Sequence, residues 1–100
     1  MSLNIEMDVF CSWLCQHERD VVGHPGTWFH SPLACWLSEM TGHTYGVEGR
    51  LYGRALYDTR YWLLLPRWAA VFTSWVEVFA SRPITGAEAL EVLARVELAS

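Results

Sequence analysis

Charge is in short supply in this sequence. Asp, Glu, Lys and Arg together make up 18% of its residues, against ~25% in an average soluble chain. Seven basic residues face eleven acidic ones, giving a net charge of −4, and the only basic cluster is Arg50, Arg54 and Arg60. Phosphate neutralisation needs several clustered cations, so this balance speaks against a nucleic-acid partner, and the acidity is too mild and dispersed to imitate DNA.

Targeting patterns are missing as well. The opening MSLNIEMDVF carries Glu6 and Asp8 where a secretory segment needs basic residues and then an apolar run. With three cysteines, an odd number, the expectation is a cytoplasmic protein with reduced thiols. The longest apolar stretch, YWLLLPRWAAVFTSWVEVFA at 61–80, is broken by Pro66, Arg67 and Glu77, which excludes a membrane span. Surface association of a helix at 66–81 is the only membrane reading left. No linker, low-complexity segment or internal repeat interrupts residues 1–100, so the chain reads as a single globular domain.

Apolar residues, by contrast, are plentiful at 52%, and six are tryptophan. A chain of this length buries roughly 60–70% of its unfolded surface and needs no staple. So much apolar area with so little charge predicts a patch covered by a second copy, that is, a homodimer.

Periodicity and punctuation predict an α+β fold: about four helices and a small antiparallel sheet of about three strands, in the order α-α-β-β-β-α-α. Leu3, Met7, Phe10 and Leu14 share one face of a first helix over 4–17, with Ile5, Val9 and Trp13 as a second covered strip. Residues 18–30 are broken by Gly23, Pro25 and Gly26 and read as irregular. A second helix follows over 32–41, with Ser31 as its N-cap, Pro32 in the first turn and Gly42 as its stop. TYGVEGRL alternates Tyr45, Val47, Gly49 and Leu51 against Thr44, Gly46, Glu48 and Arg50, and RALY and TRYWLLL follow as strands around a turn at Asp58-Thr59. A third helix is expected over 66–81 with Trp68, Phe72, Trp75 and Phe79 in one arc, a stripe that suits a core or a dimer interface. Thr85 and Glu88 form a capping box for a fourth helix, which buries Leu90, Val92, Leu93 and Val96 and carries a Glu91–Arg95 pair.

Chemistry-bearing residues concentrate in 11–43. Cys11-x3-Cys15 followed by His24-x5-His30 has spacings that tetrahedral zinc sites use, although the eight residues between the pairs fall short of the usual ~12–15. Against zinc, helical phase sets Cys11 beside the apolar stripe, where free cysteine commonly packs. Cys11 and Cys15 are not a disulfide pair: β-carbons ~5–6 Å apart on one helix face exceed the ~3.5–4.5 Å a disulfide needs. Cys35, placed in the first turns of the second helix, would have its thiol pKa lowered by the helix dipole if exposed, and His24, His30 or His43 could serve as base. Ser31, His24 and Asp20 could be assembled as a triad, but no nucleophile elbow accompanies them and Ser31 already caps a helix. GHPG lacks the lysine and glycine pattern of a phosphate loop, and Glu18 and Asp20 in HERD suit a solvated helix end beside His17. Trp28 and Phe29, in a Gly/Pro loop, either plug the core or anchor a partner.

Two functions follow as expectations. The first is a small non-catalytic protein-interaction module that self-associates and binds no cofactor. The second is a metal- or thiol-dependent enzyme built on the cysteines and histidines of 11–43, with zinc as its metal.

Overall fold

Four helices and five short strands alternate as α1 (Met7–Gln16), β1 (Val21–Gly23), α2 (Pro32–Thr41), β2 (Tyr45–Glu48), β3 (Leu51–Arg54), β4 (Leu63–Leu64), α3 (Arg67–Val76), β5 (Ile84–Thr85) and α4 (Gly86–Ala99). This is the expected α+β order, with one two-stranded sheet added. The computed structural model describes residues 3–79 and 82–99; positions 80 and 81, the predicted end of the third helix, lie outside the described residues.

Phe10 organises the core. Its fully buried ring lies 5.0 Å from Trp36, 5.7 Å from Trp68 and 5.1 Å edge-on from Phe72. One ring on α1 thereby joins α2 and α3, through the offset and edge-on geometries that aromatic quadrupoles favour. Leu14 and Leu37 complete the fully buried centre, and α4 closes it with Ala89, Val92, Leu93 and Val96. Three indole N–H groups find acceptors: Trp13 donates to Glu39 Oε2 (2.9 Å), Trp62 to the Tyr57 carbonyl (3.0 Å) and Trp68 to the Ile5 carbonyl (3.4 Å).

Local signals set the helix ends. Ala34 N–H donates to Ser31 Oγ, and α2 stops at Gly42 in the left-handed conformation, φ 75°. At α4 the capping box closes in both directions, Thr85 N–H to Glu88 Oε1 (3.0 Å) and Glu88 N–H to Thr85 Oγ1 (3.3 Å). Two further N–H groups of that first turn, on Gly86 and Ala87, donate to the carbonyls of Asp20 and Glu18. The HERD segment is therefore the backbone seat of α4 as well as a solvated helix end. Beside it β1 pairs antiparallel with β5, Val21 opposite Thr85 and Gly23 opposite Ile84, a strand inside the segment expected to be irregular.

The main sheet has the order β2-β3-β4, all antiparallel. Its strands are shorter than expected and partly displaced. Gly49, at φ 58°, turns the chain at 49–50, so Leu51 belongs to β3 and faces away from Tyr45 and Val47. RALY is not a strand: only Arg54 belongs to β3, and 55–57 form a turn. Thr59–Tyr61 is a 3-10 turn capped by the Asp58 side chain, leaving Leu63 and Leu64 as the strand. Tyr45, Val47 and Tyr52 point into the core. On the opposite face the paired glycines Gly46 and Gly53 lie beneath Trp62 and Phe29, so an indole rests where side chains would otherwise stand.

Three more expectations shift. Val9 is exposed, so the second strip of α1 is not fully covered. Glu91 and Arg95 form no ion pair among the described residues. On α3 the buried face is Ala69, Phe72, Thr73 and Val76; Trp68 sits at its edge, packed against the core, and Trp75 is exposed beside a groove shared with α4.

Candidate functional site

The loop between β1 and α2 is held by its own backbone. His24 N–H donates to the His30 carbonyl (2.6 Å) and closes the neck, and Thr27 Oγ1 donates to the His24 carbonyl (2.7 Å). Gly23 lies so near the backbone of His30, Ser31 and Pro32 that a Cβ there would meet Pro32 N at 2.6 Å.

Outside this neck runs an open groove of about 420 Å³ that gathers Trp13, His17, His24, His30, Cys35 and Glu39. Trp13 bridges α1 to α2 through Glu39, and His17 Nδ1 lies 3.0 Å from Asp20 Oδ2. Cys35 donates its thiol proton to the His30 carbonyl, Sγ to O 3.5 Å. Burial, and then the carboxylate of Glu39, push its pKa up. The expected lowering by the helix dipole is overridden, since desolvation disfavours a thiolate and a neighbouring anion adds to it. No imidazole lies within hydrogen-bond distance of this thiol. His43 is elsewhere, with Nδ1 3.3 Å from Arg54 Nη2.

The remaining sequence candidates are dispersed. Cys11 is half-buried against the core and close to the exposed Cys15 on α1; its pKa is raised by burial and then by Cys15. His24 and His30 line the groove described above, and among the described residues no three or more His, Cys, Asp or Glu side chains gather as a metal would need. Ser31 is occupied as the α2 cap and Asp20 is turned to His17, so the triad arrangement does not form. No helix among the described residues is long and apolar enough to cross a membrane.

Trp28 and Phe29 divide their surface between core and solvent. Both rings pack on Trp62, at 6.1 and 6.4 Å, and Val47 N–H donates to the Trp28 carbonyl. Yet they remain 46% and 37% exposed.

A larger concavity lies on another face, between β4 and α3. It measures about 710 Å³ and is lined by Arg50, Leu64, Arg67, Val71, Trp75 and Glu77 among others. Leu64 is 73% exposed and Trp75 41%; Val78, exposed past Trp75, lines a neighbouring groove toward α4. Arg67 opens α3 and Glu77 follows its last residue, and neither forms an ion pair among the described residues. Each charge stands at the unfavourable end of its own helix dipole, which prefers anions at the N-terminus and cations at the C-terminus. Sequence periodicity marked Trp75 as part of an interface stripe; Leu64 and the Arg67/Glu77 ends become visible only when β4 is laid beside α3.

The chain matches no family model, no curated protein and no solved structure.

Proposed function

We propose that this chain is a small self-associating interaction module, and that a second copy seats on the groove between α3 and β4. The observation that carries this reading is the pair of misplaced charges at the ends of α3. In a two-fold contact each surface meets itself, and with the axis perpendicular to α3 its two copies pack antiparallel. Arg67 of one copy then faces Glu77 of the other, and the charges disfavoured by their own helix become complementary across the axis. Between them Val71, Trp75 and Leu64 supply the apolar centre, and Ala70 and Ser74, which also line the groove, let the helices approach closely. A buried tryptophan with flanking charges is a common composition for an interface centre and rim.

The shortage of charge in the whole sequence fits the same reading, because an uncovered strip holding Leu64 and Trp75 is costly to leave in water. Sedimentation equilibrium of the full chain at micromolar concentration tests it. The expected result is a dimer that Trp75→Glu converts to monomer with an unchanged circular dichroism spectrum; a wild-type monomer contradicts the proposal. The enzyme reading has less support: a proton-donating Cys35 thiol with no imidazole hydrogen-bonded to it among the described residues is not set up as a nucleophile.

A further inference from the structure

Arg54 is a half-buried cation without an anion. It is the last residue of β3, directly opposite Tyr45, and therefore on the core-facing side of the sheet with Tyr52 and Leu63. The chain holds eleven carboxylates against seven basic residues, yet none of them pairs with this guanidinium among the described residues. Its contacts are Nη2 to His43 Nδ1 (3.3 Å) and the ring of Tyr57, 5.8 Å from the guanidinium carbon. Nε is buried with no hydrogen-bond partner. Charged groups removed from water are ordinarily paired, and an orphaned buried donor asks for an explanation.

The surroundings supply one. Arg54 borders a cavity of about 300 Å³ lined by Tyr45, Tyr52, Tyr57 and Tyr61, with Trp62 at its margin, its indole across the Gly53 backbone. Tyr45 and Tyr52 are buried and stack 6.4 Å apart as the floor, while Tyr57 and Tyr61 stand exposed at the mouth. Trp62 is tied to the mouth by its indole N–H, which donates to the Tyr57 carbonyl. Four tyrosines select a flat apolar body, and the volume reaches the lower end of the range for small-molecule sites, ~300–1,000 Å³. The arginine selects an anion at one edge of that body. It also repels ammonium groups, so the pocket is not a cage for organic cations.

We propose that this pocket binds a small aromatic carboxylate, with the ring against the tyrosines and the carboxylate on the free Nη edge of Arg54. The site is separate from the α3/β4 groove and stands whether or not the chain dimerises. Arg54 Nη1 makes no hydrogen bond among the described residues and is not among the covered atoms, so it is the atom offered to a carboxylate. Nε is covered, and the approach is therefore end-on at Nη.

Titration of the ¹⁵N-labelled full chain with benzoate tests this, read at the Trp62 indole N–H, with benzyl alcohol and acetate as matched probes lacking the charge or the ring. The expected result is a saturable shift with a Kd below ~1 mM for benzoate and at least tenfold weaker binding of the other two. Arg54→Gln should weaken benzoate at least tenfold. Should that variant fail to fold, Tyr61→Ala, a change at an exposed mouth residue, should still weaken it. The proposal is overturned by the absence of a saturable benzoate shift, by equal binding of benzyl alcohol or acetate, or by wild-type benzoate affinity in a folded Arg54→Gln chain. If only Tyr61→Ala folds, wild-type affinity there overturns it.

Discussion

Cys35 and Cys15 show how environment, more than position in the helix, decides what a thiol can do. Cys35 sits in the first turns of α2, where the dipole favours a thiolate, but burial and Glu39 push its pKa up and its proton is held on the His30 carbonyl. Cys15 is exposed on α1. Alkylation with iodoacetamide at pH 8, followed by peptide mass spectrometry, should therefore label Cys15 first and Cys35 much more slowly. Preferential labelling of Cys35 would revive the thiol-enzyme reading. Gly46 makes a second residue-scale case, in which two effects oppose each other. Alanine in a strand gains roughly 0.5–1 kcal/mol over glycine in chain entropy. At this position a Cβ would stand 2.7 Å from Phe29 Cε1 and Trp62 Cη2, and overpacking costs about 1–3 kcal/mol. Packing outweighs entropy, so Gly46→Ala should lower the thermal midpoint; a rise would show that the aromatic lid yields freely. The glycines that weaken these strands by propensity are the ones that admit the lid.

Among the elements, α4 has the most explicit start. Glu88 accepts from Arg82 and from the Thr85 N–H, and chiefly the Arg82 contact lowers its pKa from 4.5 to about 2. A carboxyl depressed in the folded state contributes stability above its unfolded pKa and loses it as pH falls through the folded value. The contribution of this box should thus fade between pH 4.5 and 2, and Glu88→Gln should remove that part of the acid dependence in urea melts without abolishing the fold. An unchanged acid limb would mean the pair is ineffective in solution. Such elements were legible in the sequence because their signals are local: Ser31, Pro32 and Gly42 bracket α2, and Thr85 with Glu88 opens α4. The strands were legible in order but not in extent. Whether 49–50 turns or continues depends on Gly49 taking a positive φ, and whether 59–61 extends depends on the Asp58 side chain reaching the Arg60 N–H. The β1–β5 pair was not legible. Its partners are about sixty residues apart, two or three residues long, and carry no alternation.

At the scale of the whole molecule, the sequence's chemistry and its surface part company. The cysteines and histidines of 11–43 drew attention by spacing, yet folding sends Cys11 and Cys15 to one side of α1 and His24, His30 and Cys35 to a separate groove. Trp28 and Phe29 divide between lid and surface, which sequence could pose only as alternatives. The proposed α3/β4 face emerges only from juxtaposition, because Leu64 and Trp75 come together through the turn between β4 and α3. If that face is self-complementary, its charges obey a rule that nonspecific stickiness does not. Arg67→Glu and Glu77→Arg should each weaken the dimer, since each sets like charges opposite one another across the axis. The double exchange should restore it. Sedimentation equilibrium of these three variants beside the wild type is the most direct measurement. The account predicts dimer, monomer, monomer and dimer for wild type, the two single variants and the double exchange; a monomeric wild type, or a double exchange no better than the singles, would contradict it.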